Sequence, residues 1–397
     1  MFNLTEKKQS KKTWATVFLT ISVVIGIAMI PQFNKYGKEG VMTITENEFM
    51  YEKSIHILAM LLIGFGFLMV FIKKYGYTSI TATYLAVALS LPLYMLVRPY
   101  LWGSGADISI ANISMLLFAE FAAASLLIAI GGPLGRVNTS QYLLIGLLFT
   151  PLYAINEWFL FGGAVIPVGA FLDTAGSVMI HAFGAYFALG MTIMLTTKKE
   201  SEMIVETSRR SNEFALLGSA ALWIFWPSFC SALVAVDKIP LVAINTVLAL
   251  CGATLATYAF TILIRGKIEV GDIANASLAG GVAIGATVAN VTPGFSMLIG
   301  LIAGAISVVG YVIIQPRLQK ATGGVDTCGV HNLHGMPGVF GGIVALGLVA
   351  SPLWQLMGII MSVIFALTTG IVVGFIASRL GRKDTPYDDK EEFELSE

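Results

Sequence analysis

Apolar runs long enough to cross a bilayer recur along the whole chain, at about 14–31, 54–72, 79–97, 109–131, 142–162, 166–196, 212–235, 240–264, 272–291, 295–315, 327–350 and 353–378. A membrane helix needs roughly 20 apolar residues, because each backbone N–H and C=O must find a partner inside the segment once water is excluded. Twelve such runs in 397 residues leave only short connections. The expected fold class is therefore an all-α polytopic membrane protein of about twelve transmembrane helices. Residues 1–383 form the membrane domain and 384–397 an acidic tail.

Composition removes several alternatives. The chain is 56% hydrophobic and 12% charged, outside the range of soluble domains. Its formal net charge is zero, which gives no case for a nucleic-acid partner. Cys230, Cys251 and Cys328 all lie in apolar segments, without the spacing of a zinc site or a disulfide framework. No metal or other cofactor is expected. Forty-one glycines suit helices that approach closely in lipid.

Lysines and arginines orient the spans. With the N-terminus in the cytoplasm and strict alternation, nineteen of the 24 fall on the cytoplasmic side. Lys35, Lys38, Lys53, Arg98 and Lys238 fall outside. Both termini are then cytoplasmic. The first run also has the basic start and apolar middle of a signal peptide, but no small-x-small cleavage site marks its end. The 166–196 run exceeds one crossing, so its start is expected to project into an outer vestibule. The tail reads as a solvated, partly disordered segment, with a regulatory contact as the alternative.

Two polar stretches interrupt this apolar chain. One is Asp326-Thr-Cys-Gly-Val-His331-Asn-Leu-His334-Gly-Met-Pro-Gly338; the other is Asp173-Thr-Ala-Gly176, followed by His181 and Gly184. Ionisable side chains within a membrane are costly and mark pathways or relays. Under the twelve-span topology the two stretches enter from opposite faces, as in an inverted repeat of five spans each, with a site near the midplane. His181 lies eight residues after Asp173, roughly 12 Å along a helix, and His331 five after Asp326, roughly 7 Å. The expectation is that His181 and His331 meet in a narrow pore as neutral rings. His331 and His334, three apart, would share one helix face. His334 would then lie one turn further along, or cap a kink before Pro337.

Asp173 and Asp326 open glycine-containing helical segments, where a carboxylate accepts backbone N–H bonds; Asp173 could instead attract a cation. Glu157, in Asn156-Glu157-Trp158, is a second candidate for drawing cations inward. Phe121 and Phe229 are rings flanked by small residues, able to pack or to close a pore. Glu120, beside Phe121, needs a polar partner or a cavity. His56 reads as structural.

The stretches DTCGVHNLHGMPG (326–338), DTAGSVMIHAFGAYF (173–187), Asn156-Glu157, FWPSFCSA (225–232) and NASLAGGVAIG (275–285) together resemble the ammonium transporter/Rhesus superfamily. The His-Asn-Leu-His-Gly form and the Asn-Glu pair point to its Rhesus branch. The resemblance implies a homotrimer in the cell membrane, with one pore per subunit and ammonia or ammonium as substrate; CO2 is the alternative guest. It implies that His181 and His331 are the paired pore histidines and that Phe121 and Phe229 are the stacked rings above them. By the same token Asp173 lies near the outer mouth and Glu157 in the vestibule; His334 and Asp326, from their place in the same stretch, are candidates for secondary pore positions. The tryptophan and serine of the Amt outer binding site have no clear counterpart, which favours facilitated NH3 diffusion over high-affinity uptake. Outside transport, His181 and His331 could be axial haem ligands, or the tail could make the chain an ammonium sensor.

Overall fold

Helix follows apolar run along the chain, and the two segments that carry the central histidines each begin with a wide turn. The computed structural model describes residues 44–102 and 112–394 with scattered positions between 13 and 28, so the first expected span lies largely outside the described residues. Among these residues nine helices are long and apolar enough to cross a membrane. They are α1 (Glu46–Phe71), α2 (Gly76–Trp102), α3 (Ile113–Gly131), α4 (Thr139–Phe161), α5 (Ser177–Leu195), α6 (Arg209–Ser231), α7 (Val236–Arg265), α9 (Pro293–Thr322) and α11 (Pro352–Ser378). Two shorter segments complete the set: α8 (Val270–Ile284), and α10, a wide turn His331–Gly335 continued by the helix Met336–Ala345. Each of the eleven expected runs after the first thus holds one element. Among the described residues no named strand occurs, only an isolated bridge between Ile72 and Thr207.

Small residues let the helices close on each other. At the α7–α9 crossing a Cβ on Gly252 would meet the Met297 carbonyl, and one on Gly304 the Ala253 carbonyl. At the α5–α11 crossing, Gly190 and Gly370 lie against the backbone of Leu367 and Phe187. In lipid, where tails are as apolar as leucine, such backbone proximity is a main source of helix association.

The echo Asp-Thr-x-Gly is one backbone device used twice. Asp173 Oδ2 accepts the N–H groups of Val178 and Met179 at 3.0 and 2.8 Å. Asp326 accepts those of Val330 and His331 at 3.0 and 2.9 Å. Each carboxylate thereby satisfies the orphan donors of a helix start buried in protein. Gly176 and Gly329 have φ of +76° and +67°, the left-handed region that side chains other than glycine's resist. The residues ahead of them donate to the end of a partner helix. The Ala175 N–H reaches the Gly285 carbonyl at 2.8 Å, beyond α8, and the Thr327 N–H that of Gly132 at 2.9 Å, beyond α3. Those ends echo too, as Ala129-Ile130-Gly131 and Ala283-Ile284-Gly285.

The acidic tail departs from expectation. Residues 384–394 are not a solvated strand but pack on the Lys/Arg-rich face of the molecule. Asp389 accepts the N–H groups of Tyr77 and Thr78, both at 2.9 Å, and the Thr78 hydroxyl at 2.6 Å, at the start of α2. Glu392 accepts the Thr139 hydroxyl at 2.8 Å, at the start of α4. The Tyr387 N–H donates to the Gly135 carbonyl at 2.8 Å, and the Tyr387 ring joins the core. The physical reason is local: helix N-termini present unpaired donors and positive dipole ends, which carboxylates complement.

Candidate functional site: the His181–His334 pair between two cavities

The two histidine-bearing turns meet at the centre of the bundle. His181 Nδ1 and His334 Nδ1 are 3.1 Å apart, with ring planes 5° from parallel and centroids separated by 5.2 Å. The partner of His181 is thus His334, and not His331 as expected from the sequence. Both turns have wide i→i+5 closure. Each such turn holds more residues than an α-helical one, so a step of three no longer returns to the same face. His331 accordingly points elsewhere: its ring stands edge-on to Tyr186 at 5.5 Å, and its Nδ1 has no hydrogen-bond partner in the protein. The corrected pair also obeys the repeat, since His334 follows Asp326 by the same eight residues that separate His181 from Asp173.

A contact between two Nδ1 atoms fixes the chemistry of the pair. One ring must donate and the other accept, so a single proton sits between them. In neutral rings the donor then keeps an Nε2 lone pair, and the acceptor carries its proton on Nε2. The pair offers a guest one acceptor and one donor. His181 Nε2 is buried without a partner in the protein. The haem reading paired His181 with His331; His181 instead lies 3.1 Å from His334, with no space for a porphyrin iron between those two rings.

Aromatic rings surround the pair. Trp226 stacks on His181 with centroids 5.7 Å apart and planes 19° from parallel, and Phe229 lies 6.0 Å from the same ring. Phe229, from α6, packs against Phe121, from α3, at 4.8 Å. Phe65, from α1, faces His334 at 6.3 Å. Trp226 was readable in the Phe225–Ala232 stretch, one helical turn before Phe229. Phe65, in a plain apolar run, carried no such signal.

Two cavities flank these rings. On the Lys/Arg-poor face a vestibule of about 390 Å³ is lined by Arg98, Phe121, Glu157, Asp173 and Ile180 among others. On the opposite face a pocket of about 20 Å³ is lined by Phe65, Leu68, Cys328, Leu333 and His334 among others. The second holds roughly one water-sized guest.

The remaining candidates are distributed as follows. Asp173 reaches the vestibule while capping α5; its Oδ1 has no partner in the protein. Asp326 caps α10 and lines neither cavity. Glu157, the second candidate for drawing cations inward, is on the vestibule wall. It is 2% exposed, accepts the Tyr94 hydroxyl, and faces Arg98 Nε at 3.5 Å. Glu120 has the polar partner its burial requires, the Ser54 hydroxyl at 2.6 Å. His56 packs on Phe225 and lies 2.8 Å from the Ser228 hydroxyl, behind the rings. Among the described residues no group of three or more His, Cys, Asp or Glu could hold a metal.

Apolar helices on this plan, meeting around a buried histidine pair with a cavity on either side, define a polytopic membrane protein of the channel or transporter class. Comparison with known proteins gives the family. A model of the Ammonium Transporter Family matches residues 15–392. Ammonium transporter Rh type B of Danio rerio is 35% identical over 344 residues, covering 83% of this chain and 73% of that protein. The rabbit (Oryctolagus cuniculus) protein of the same name is 35% identical over 382 residues, with coverages of 87% and 82%. Among solved structures, Rh50 of Nitrosomonas europaea, a channel of the Rhesus protein family, superposes with a TM-score of 0.86 at 45% identity, covering 90% of this chain and 94% of that one. A sensor Amt protein shares the fold, with a TM-score of 0.71 at 22% identity and coverages of 83% and 91%. The chain belongs to the ammonium transporter family, in its Rhesus branch.

Proposed function

We propose that this chain conducts ammonia, recruited as ammonium, down its gradient through the passage between the two cavities, with His181 and His334 as its polar lining and Phe121 and Phe229 as its gate. The observation that carries the reading is the parallel histidine pair, joined Nδ1 to Nδ1, beside the phenylalanine rings. A charge at the bilayer centre is expensive, and a constriction of aromatic rings excludes hydrated ions. Ammonium therefore gives up a proton to water in the vestibule and passes the rings as NH3. It donates to one Nε2 of the pair, accepts from the other, and is reprotonated beyond. Potassium and sodium have no proton to leave behind. Asp173 and Glu157 are the carboxylates that face ammonium in the vestibule, Glu157 in an ion pair with Arg98. The Lys/Arg-rich face is cytoplasmic, the protein resides in the cell membrane, and it assembles as a homotrimer with one passage per subunit.

Stopped-flow measurements on proteoliposomes test this directly. Ammonia uptake should exceed that of protein-free vesicles and fall in His181→Ala. CO2 uptake, followed in parallel, should be indifferent to the substitution. Equal CO2 flux by both proteins with no protein-dependent ammonia flux would overturn the choice of guest.

A further inference from the structure

Arg98 occupies the places that a cation entering the vestibule would use. Its guanidinium carbon lies 4.0 Å from the centroid of the Phe118 ring and 4.6 Å from that of Trp102. Its Nε faces Glu157 at 3.5 Å. The faces of aromatic rings attract cations, and among the described residues Glu157 is one of two carboxylates on the vestibule wall. The second, Asp173, spends one oxygen on the start of α5. The Arg98–Glu157 contact is single and long, unlike the paired short bonds of a strong arginine–carboxylate fork. A small cation can compete for such a contact. Arg98 is only 5% exposed, so its charge is held at the wall and not spread into solvent.

We propose that Arg98 is a tethered competitor for the entering ion. It rests on Glu157, Phe118 and Trp102, and ammonium reaches these groups only by displacing the guanidinium. The vestibule then binds ammonium weakly and releases it readily, as conduction demands: a site must be favourable enough to enter and weak enough to leave. This assignment rests on the proposed function, in that it takes the vestibule as the ammonium entrance.

The test is ammonium uptake into proteoliposomes over a range of concentrations, with KM and maximal flux read separately. In Arg98→Met the KM should fall roughly three- to tenfold, the worth of a partly buried cation–π contact or ion pair. The double variant Arg98→Met/Glu157→Gln should lose that gain. A structural role alone would lower maximal flux and leave KM in place. Arg98→Gln, which keeps polarity without charge, should repeat the fall in KM and serves if the methionine variant does not fold. If neither folds, Glu157→Gln alone must raise KM, because an uncompensated guanidinium then repels ammonium. Folded Arg98 variants with wild-type or higher KM, a gain that survives in the double variant, or an unmoved KM in Glu157→Gln would each overturn the proposal. Wild-type vesicles no faster than protein-free ones would instead sink the conduction reading itself.

Discussion

The starts of α5 and α10 are the same backbone device set in different surroundings. Each has an aspartate cap, a left-handed glycine and a wide turn, with a histidine eight residues on from the aspartate. Their fastenings differ. At α5 the Ser177 hydroxyl donates to the Val282 carbonyl at 2.6 Å and accepts the Ala286 N–H at 2.7 Å. At α10 a buried Arg136 reaches the Gly132 carbonyl at 2.7 Å, the Val325 carbonyl and Thr196. Their outlooks differ more: one opens on about 390 Å³, the other on about 20 Å³. The repeat therefore fixes where the histidines stand. The neighbours contributed by non-equivalent residues decide what each mouth can do.

The harshest test of this likeness is at the two glycines. Alanine at either position meets positive φ, and its Cβ meets a neighbour as well. At Gly329 the neighbour is the Tyr311 ring, which is rigid; at Gly176 it is the Ile180 side chain, whose outer atoms can change rotamer and whose Cβ, at 2.9 Å, needs only a small shift. Gly329→Ala should cost roughly 3 kcal/mol or more, strain and overpacking together. Gly176→Ala should cost about 1–2 kcal/mol. Thermal melts of the detergent-solubilised variants read the difference, and equal losses would break the asymmetry.

A second test separates the histidines. His334→Ala removes the partner of His181 and should lower ammonia flux about tenfold, the worth of one net hydrogen bond near 1.4 kcal/mol. His331→Ala, which removes a ring packed on Tyr186, should leave flux within about twofold while lowering the melting temperature, since burial and not conduction is its part. The reverse order in stopped-flow uptake would restore the pairing expected from the sequence.

That pairing shows where sequence reasoning stopped. The spans and the echo were legible because apolar runs and a repeated polar tetrapeptide are local signals; Phe121 and Phe229 stood out beside small residues, but only the family resemblance proposed them as a gate. The choice between His331 and His334 was not, because helical spacing assumed 3.6 residues per turn where the backbone makes a wider turn. The constant offset of eight residues from Asp to His held the answer. Arg98 was legible only as an outer-face charge; its seat on Phe118, Trp102 and Glu157 joins α2, α3 and α4, which no linear pattern brings together. The tail was misjudged for a similar reason, its partners lying some 250 to 311 residues away.

A gentler comparison sets the two capping aspartates side by side. Asp173→Ala and Asp326→Ala each leave buried N–H groups unpaired and should each cost about 1–2 kcal/mol in melts. Only Asp173 also lines the vestibule, so only its loss should raise the KM for ammonium uptake. A matching rise in Asp326→Ala would mean that KM reports helix integrity and not recruitment.

The smallest effect belongs to a cap supplied from afar. Asp389 does for α2 what Asp173 and Asp326 do for their own helices, but it must first be delivered by the folded tail. Part of its binding energy is therefore offset by ordering the segment that carries it. Asp389→Ala should lower stability by about 1 kcal/mol, at the low side of the local caps. Asp389→Asn, which keeps an acceptor of the same reach, should cost only a few tenths, because asparagine caps about as well as aspartate. If the alanine variant instead melts like wild type, the carboxylate contributes no net stability at this distance, and capping strength follows chain proximity. If asparagine is as damaging as alanine, charge at the start of α2 matters more than the hydrogen bonds, and the dipole becomes the dominant cause.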